Sequence, residues 1–298
     1  MGVNQSVAVI GLGLMGSRMA AQLRAHGFHT RGYDPDPDRS AEFAAAGGEP
    51  EPSPVAAVAG CGAALLSLPN SDISKTVCLG EGGLIEHEGP LDVFDATTGR
   101  PADAVAIAES LSVGDVVYCD ATVSGNGEVA GRGELVVMVG GPADAYERGK
   151  PVFEAIGRSH HHVGGVGAGA TMKLIVNHAL TIHRMALAEV LVVAEMSGLD
   201  LEATLDVLKD GLAYSKAMDA WGERMIAADH EPPFARLRQS HKDARLIVEH
   251  AAEVGAPAAL VEVVRNALAE GEDDGLADLD NSSIVEVVRR RAGRGRVS

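Results

Sequence analysis

The stretch Ser6-Val7-Ala8-Val9-Ile10-Gly11-Leu12-Gly13-Leu14-Met15-Gly16 decides the fold class. Its apolar half predicts a buried strand, and its glycine-rich half opens an apolar helix that ends at Gly27. Gly11 permits a tight turn, Gly13 lets an anion approach the backbone, and Gly16 lets helix and strand pack closely. A GxGxxG pattern alone is a weak signal, but the strand before it and the helix after it indicate a dinucleotide-binding loop. The predicted loop residues are Gly11, Leu12, Gly13, Leu14, Met15 and Gly16.

A second predicted strand leads into Asp34. A carboxylate at the end of this strand can accept hydrogen bonds from both ribose hydroxyls of an adenosine, and it repels a 2′-phosphate. We therefore expect NAD rather than NADP as the cofactor, although Arg31 and Arg39 lie close enough in sequence to weaken the argument. The alternative role for Asp34 is that of a turn residue before Pro35.

Up to about residue 165, short β-rich runs alternate with helical patterns, which predicts βαβ units on a mainly parallel sheet. The predicted strands are Val7 to Ile10, Thr30 to Tyr33, Ala63 to Leu68, Leu91 to Phe94, Val116 to Cys119 and Leu135 to Val139. We expect an α/β Rossmann domain over residues 1–165.

Beyond the segment Gly164-Gly165-Val166-Gly167-Ala168-Gly169, helical periodicity dominates. It predicts an all-α domain over residues 166–298 for substrate binding and oligomerisation. The predicted helices are Ala170 to Met196, Leu201 to Lys209, Lys216 to Ala227, Leu237 to Val254 and Pro257 to Ala269.

Charge and composition narrow the classes of partner. The chain has 298 residues, with 25 Lys and Arg against 42 Asp and Glu, so its formal net charge of −17 repels nucleic acids and anionic lipids. No apolar stretch reaches the roughly 18 residues of a membrane span, and no leader is evident, so we expect a cytoplasmic protein without a membrane partner. We expect the basic end, which holds Arg289, Arg290, Arg291, Arg294 and Arg296, to be a solvated tail.

The sequence predicts no metal site. His160, His161 and His162 are consecutive, and in an extended segment neighbouring side chains point to opposite faces, so the three cannot converge easily on one ion. The three cysteines show no CxxC spacing.

Further motifs follow the third and fourth predicted strands. Leu68-Pro69 and Asp95-Ala96-Thr97-Thr98, together with the glycine loop, resemble motifs of the β-hydroxyacid dehydrogenases, the family of 3-hydroxyisobutyrate dehydrogenase and tartronate semialdehyde reductase. The resemblance extends over nearly the whole chain. It implies that Leu68, Pro69 and Thr98 line the nicotinamide side of the cofactor site.

The segment Asp120-Ala121-Thr122-Val123-Ser124-Gly125-Asn126 resembles the family's Asp-Ala-Pro-Val-Ser-Gly-Gly, whose turn holds the substrate carboxylate. By this resemblance Ser124, Gly125 and Asn126 bind substrate, and a turn that offers a hydroxyl and successive N–H groups suits an anion. Thr122 replaces the family's proline and Asn126 its second glycine. Asn tolerates left-handed backbone geometry, so the turn can survive, but we expect the Asn126 side chain to intrude on the pocket.

The most informative match is Gly167-Ala168-Gly169 followed by Lys173 and Asn177, which resembles the family's Gly-x-Gly-x-x-x-Lys-x-x-x-Asn. The i, i+4 spacing puts Lys173 and Asn177 on one helix face, where an amine and an amide can bracket one hydroxyl group. Without other motifs, we would interpret the two residues as a solvated lysine with a polar neighbour. Because the other motifs occur in the expected order, we interpret them as catalytic. Lys242-Asp243 resembles the family's Lys-Asp pair, which implies that Lys242 contacts both substrate and cofactor.

Together these features predict an enzyme that transfers a hydride between NAD and a small hydroxy acid or semialdehyde, similar to 3-hydroxyisobutyrate. Two alternatives stay open at this point: an imine reductase of the same fold, which usually lacks a lysine at the position of Lys173, and a dinucleotide-binding regulator without activity. The resemblance also implies a small carboxylate as substrate and a homodimer or homotetramer.

Overall fold

The computed structural model describes residues 6–294, in which strands and helices alternate before the glycine-rich segment and helices alone follow it. Within that range the strands are β1 (Ser6–Ile10), β2 (His29–Tyr33), β3 (Glu49–Pro50), β4 (Ala63–Leu66), β5 (Leu91–Asp95), β6 (Val116–Ser124), β7 (Leu135–Gly140) and β8 (Gly157–Gly164). The helices of the first part are α1 (Leu14–Ala25), α2 (Pro37–Ala45), α3 (Pro54–Val58), α4 (Ser71–Leu79), α5 (Pro101–Leu111), α6 (Gly127–Gly131) and α7 (Ala143–Ile156). They are followed by α8 (Ala168–Met196), α9 (Leu201–Asp210), α10 (Lys216–Ala227), α11 (Leu237–Glu253), α12 (Ala259–Asp273) and α13 (Ile284–Arg291).

The described strands form one sheet in the order β3-β2-β1-β4-β5-β6-β7-β8. Neighbouring strands are parallel except for β6 and β7, which are antiparallel. The first six positions reproduce the Rossmann strand order, in which ligands bind where the order reverses, between β1 and β4. The fold class predicted from the sequence, an α/β Rossmann part followed by an all-helical part, is confirmed.

Both faces of this sheet are buried, which explains why its strands read as short apolar runs. Val7 and Val9 of β1 pack into one core cluster, and Ala8 and Ile10 pack into another on the opposite face. The predicted strands missed two elements, β3 and β8, at the two edges of the sheet. β8 is polar and half exposed, because an edge strand is paired on one side only and needs no apolar alternation.

The chain divides into two compact units, with the boundary between Lys173 and Leu174, inside α8. The second unit has its own core, to which α8 contributes Leu187 and Leu191 and α12 contributes Val264 and Leu268. Across residues 6–294, no helix combines the length and the apolar character needed to cross a membrane.

The expectation that the basic end is a solvated tail was wrong for Arg289, which is buried within a helix. Arg289 lies in α13, is 2% exposed, and donates to Glu286 (2.7 Å) and Glu195 (3.0 Å). Arg290, Arg291 and Arg294 each pair with an acidic side chain as well. Apart from Glu286, the acidic residues that pair with this run are distant in sequence, and Arg296 lies outside the described residues.

The start of α8 is pressed against the backbone of β6 and β7. A Cβ atom on Gly169 would lie 2.1 Å from the Asp120 carbonyl oxygen and 2.8 Å from that of Met138. The buried hydroxyl of Thr122 donates to the Gly169 carbonyl at 2.8 Å. This close approach fixes the first turn of α8 relative to β6.

We expect Gly169→Ala to lower the free energy of unfolding by about 2–3 kcal/mol, because the obstructing atoms are backbone atoms that cannot move aside. The matched control is Gly165→Ala, since nothing lies within 4 Å of a Cβ at that position and its φ is not in the left-handed region. Urea denaturation of both variants measures the difference. Equal stability of the two would contradict the proposed packing at Gly169.

Candidate active site

The glycine loop follows β1 and leads into α1. At two of its glycines there is no room for a side chain. A Cβ on Gly11, whose φ is +90°, would lie 2.3 Å from the Ser67 carbonyl oxygen. A Cβ on Gly16 would lie 1.9 Å from the Gly11 carbonyl oxygen. At Gly13 the nearest atom is Arg39 Nη1 at 3.6 Å, so the backbone there is open to a ligand.

The N-terminus of α1 fits a negatively charged group. Its N-cap residue is Gly13, no side chain caps the first turn, and no acidic residue lies in that turn. By contrast, Asp36, Asn70 and Asp200 cap α2, α4 and α9 with their side chains. The exposed N–H groups and the helix dipole of α1 suit a pyrophosphate, so the loop fits a dinucleotide.

Asp34 lies at the end of β2 beside a cleft of about 400 Å³, whose other lining residues are Tyr33, Pro35, Pro37, Ser40, Glu51 and Pro52. Its carboxylate is 7% exposed and accepts the N–H groups of Leu12 (2.8 Å) and Asp36 (3.0 Å). Oδ1 keeps a second lone pair for a ribose hydroxyl, whereas Oδ2 also accepts from Arg39 Nη1 at 3.4 Å. The carboxylate therefore stabilises both the turn at Asp36 and the glycine loop.

Arg31 and Arg39, the two cations near Asp34, are both paired with carboxylates. The Arg31 Nε donates to Glu51 at 3.1 Å, and Glu49 lies 3.8 Å away. Arg39 lies 3.4 Å from Asp34 Oδ2. These ion pairs reduce the positive charge that either arginine can offer to a 2′-phosphate.

Leu68, Pro69 and Thr98 follow the carboxyl ends of β4 and β5, which are adjacent strands. The backbone N–H of Leu68 donates to Thr97 Oγ1 at 3.0 Å, and the Thr97 N–H donates to Asp95 at 2.9 Å. Thr97 thus ties the two strand ends together. The sequence motif contained Thr97, but the prediction gave it no role.

The predicted substrate turn begins at Ser124, the last residue of β6. Gly125 takes the unusual backbone conformation, with φ +143°, whereas Asn126 has φ −100°. Asn126 does not use the left-handed geometry that asparagine tolerates, and its Oδ1 accepts the Val129 N–H at 3.0 Å as the N-cap of α6. A Cβ on Gly127 would contact Leu14 at 3.0 Å, so α6 packs against the start of α1.

Asp120 holds the start of α8. Its buried carboxylate accepts the N–H groups of Gly167 at 2.8 Å and Ala170 at 2.6 Å. The pKa of Asp120 is raised to about 6, chiefly by burial; the N–H groups of Ala170 and Gly167 oppose the rise, and the nearby Asp95 adds to it. This residue was part of a sequence motif, but its contact with α8 spans about 50 residues and no local pattern indicates it.

Lys173 and Asn177 lie on the same face of α8, one turn apart. Asn177 is 8% exposed, and its Nδ2 donates to Asp243 Oδ2 on α11 at 2.9 Å. Lys242 Nζ lies 3.3 Å from Asp243 Oδ1. Asp243 thus joins two of the predicted site residues, Asn177 and Lys242, and is itself a site residue that the sequence prediction did not assign.

The three consecutive histidines lie on β8. His160 Nδ1 is 2.8 Å from the Tyr146 hydroxyl, and the ring of His162 stacks on Tyr146 with centroids 5.0 Å apart. Over residues 6–294, no group of three or more His, Cys, Asp or Glu side chains is arranged to hold a metal ion.

Comparison with known proteins assigns the chain to a class. Residues 6–165 match the family described as the NAD binding domain of 6-phosphogluconate dehydrogenase. Residues 167–288 match the family described as NAD-binding of NADP-dependent 3-hydroxyisobutyrate dehydrogenase. The chain is therefore an NAD(P)-binding oxidoreductase.

Individual relatives narrow the class. The chain is 30% identical to 2-(hydroxymethyl)glutarate dehydrogenase of Eubacterium barkeri, over 96% of each chain. The crystal structure of 3-hydroxyisobutyrate dehydrogenase from Salmonella typhimurium superposes with a TM-score of 0.86 at 26% identity and covers 95% of this chain and 99% of that one. An imine reductase from Pseudomonas sp. gives a TM-score of 0.62 at 18% identity, over 95% of this chain and 99% of that one, and shares the fold alone. The chain belongs to the β-hydroxyacid dehydrogenase family, as the motifs predicted.

Because Asp120 has a raised pKa in the folded protein, it stabilises the fold below its unfolded pKa of 3.8, and this contribution is lost as the pH rises through about 6. The full difference corresponds to roughly 3 kcal/mol. We expect the stability of the wild type relative to Asp120→Asn to decrease by up to this amount between pH 4 and pH 7.5. Urea denaturation across this range tests it, and a difference that does not vary with pH would refute the assignment.

Proposed function

We propose that this chain catalyses reversible hydride transfer between NAD and a small hydroxy acid, with Lys173 as the general acid and base. The observation that carries the proposal is the pair Lys173 and Asn177 on one face of α8, with the Asn177 amide held by Asp243. An amide fixed in this way presents its Oδ1 and its second N–H in a constant direction. Intact Lys173 and Asn177 argue against a regulator that has lost turnover.

The proton and the hydride leave the alcohol separately. In the oxidation, Lys173 Nζ takes the hydroxyl proton while the hydride leaves the carbon that bears the hydroxyl group. In the reverse reaction Lys173 returns the proton to the oxygen of the carbonyl group. Asn177 orients that oxygen by hydrogen bonding, and bound NAD supplies the hydride acceptor.

We assign the substrate carboxylate to the turn at Ser124 and Gly125. Lys242 is a second contact, and it is cationic. The turn offers a hydroxyl and backbone N–H groups at the end of β6. The side chain of Asn126 is occupied by the N-terminus of α6, so its contribution to substrate binding is reduced to its backbone. Relatives that are named for 3-hydroxyisobutyrate and 2-(hydroxymethyl)glutarate support a hydroxy acid with its alcohol one carbon beyond the carbon that bears the carboxylate.

The preference for NAD rests on Asp34. Its carboxylate lies at the edge of the 400 Å³ cleft that fits the adenosine, where it can accept ribose hydroxyls and repel a 2′-phosphate. The pairing of Arg31 with Glu51 turns that cation away from such a phosphate. Leu68, Pro69 and Thr98 would contact the nicotinamide half.

We expect Lys173→Met to lower kcat/KM for the hydroxy acid by 10²- to 10⁴-fold, roughly the range for loss of a general acid or base. NADH binding, followed by fluorescence titration, should stay within about threefold, because this side chain acts on the substrate oxygen. Lys150→Met, on the exposed surface of α7, is the control. Retained turnover in Lys173→Met would exclude the role, as would loss of NADH binding together with turnover.

Asp34→Asn keeps an oxygen that can accept the Leu12 N–H but removes the charge. We expect the wild type to prefer NAD over NADP in kcat/KM, and the variant to lose at least tenfold of that preference, corresponding to about 1.4 kcal/mol. Asp38→Asn, in the first turn of α2, serves as the matched control. A wild type that prefers NADP would overturn the cofactor assignment.

A further inference from the structure

A polar stripe continues along α8 beyond the two proposed catalytic residues. Lys173, Asn177, Thr181 and Arg184 follow one another at intervals of three and four residues, so they share one face of the helix. Thr181 is 4% exposed and Arg184 is 3% exposed. The proposed function employs only the first two residues of this stripe.

Arg184 is the most unusual charge in the second unit. Its guanidinium makes no hydrogen bond or ion pair with any residue in 6–294, and its Nη2 is fully buried. It rests on the ring of Trp221 with its Cζ 5.0 Å from the centroid, and burial lowers its pKa to about 10, so it is still charged at neutral pH. A buried cation without a partner is costly, and native structures rarely contain one.

The carboxylates nearest to Arg184 are already engaged. Asp243 accepts from Asn177 and pairs with Lys242 at 3.3 Å. Asp280 accepts the Phe234 N–H at 2.7 Å and pairs with Arg224 at 3.3 Å. Both carboxylates are thus paired with other cations, and neither forms an ion pair with Arg184.

Other polar atoms around Arg184 also lack partners. Trp221 Nε1 on α10 is buried without a hydrogen-bond acceptor. The Thr181 hydroxyl makes no hydrogen bond to another described residue. One N–H donor and a hydroxyl therefore accompany an uncompensated cation, which is the donor set that recognises an anion.

The position of this group on α8 indicates what the anion belongs to. Arg184 lies two turns beyond Asn177, a rise of about 10 Å, but helix side chains lean toward the N-terminus, which returns the guanidinium toward Thr181 and Asn177. We therefore expect the substrate arm that carries this anion to be roughly two to three carbons long. We propose that Thr181, Arg184 and Trp221 form a subsite for a second anionic group of the substrate, so that this chain prefers hydroxy acids with two carboxylates. The inference rests on the proposed hydroxy-acid dehydrogenase function.

Two probes test the subsite. They differ only at the end of this arm, which is a charged carboxylate in one and an uncharged methyl group in the other. 2-(Hydroxymethyl)glutarate and 2-(hydroxymethyl)pentanoate share the hydroxymethyl group and the first carboxylate, and their arms have equal length. We compare kcat/KM with NAD, and binding of each probe to the NADH complex by calorimetry, in wild type, Arg184→Met and Trp221→Phe. Arg158→Met, on the exposed part of β8, is the control.

We expect the wild type to favour the dicarboxylate at least tenfold. Arg184→Met should weaken the dicarboxylate by roughly 10- to 100-fold, as for loss of a hydrogen-bonded charge, and leave the monocarboxylate within threefold. Trp221→Phe keeps an aromatic ring but removes the indole N–H, so it should weaken only the dicarboxylate, by about three- to tenfold, and it carries the test if Arg184→Met does not fold.

Equal losses on both probes would overturn the subsite, because Arg184 would then act on Asn177 through Asp243. Absence of any preference in the wild type would overturn it too. Turnover of the monocarboxylate without that preference retains the dehydrogenase function and refutes the subsite alone. Selective dicarboxylate binding without turnover, lost in Arg184→Met, supports the subsite and refutes the dehydrogenase function.

Discussion

The rest of the site depends on the hydrogen bonds that the Asp120 carboxylate accepts. It sits on β6 and accepts two N–H groups at the start of α8, so it joins the strand that ends in Ser124 to the helix that carries Lys173. Gly169 lets the two backbones touch, and the Thr122 hydroxyl adds a contact that the family's proline cannot make. The proposed carboxylate turn and the proposed general base are therefore positioned by one small set of buried contacts.

In the cofactor-binding part of the first unit, some helices have side-chain hydrogen bonds to their first backbone N–H groups and others do not. Several helices have their first N–H groups capped by their own side chains, whereas α1 is uncapped at Gly13 and has no acidic residue in its first turn. The carboxylate of Asp34 accepts the Leu12 N–H and so stabilises the glycine loop. The phosphates of a dinucleotide supply the hydrogen-bond acceptors for the uncapped N–H groups that follow β1.

The sequence predicted the features that depend on local chemistry. β1, the glycine loop and α10 (Lys216–Ala227) follow from apolar periodicity and glycine positions, and the structure has them within a residue. β8 was missed because an edge strand has little apolar pattern, and the cap that Asn126 makes was missed because its partner, Val129, belongs to a helix of only five residues. Asp243 is 66 residues from Asn177, and such tertiary partners have no local signal. The continuation of the stripe to Arg184 was visible as helical spacing, but its lack of a partner appears only in the folded chain.

The central claim is that hydride leaves the carbon of a hydroxy acid that bears the hydroxyl group. The direct measurement uses a panel of C3 to C6 hydroxy acids with deuterium on that carbon, oxidised with NAD, with mass spectrometry of the resulting NADH. The account predicts one deuterium per NADH formed, in step with production of the semialdehyde. NADH without deuterium, or no oxidation of any member of the panel, would contradict it.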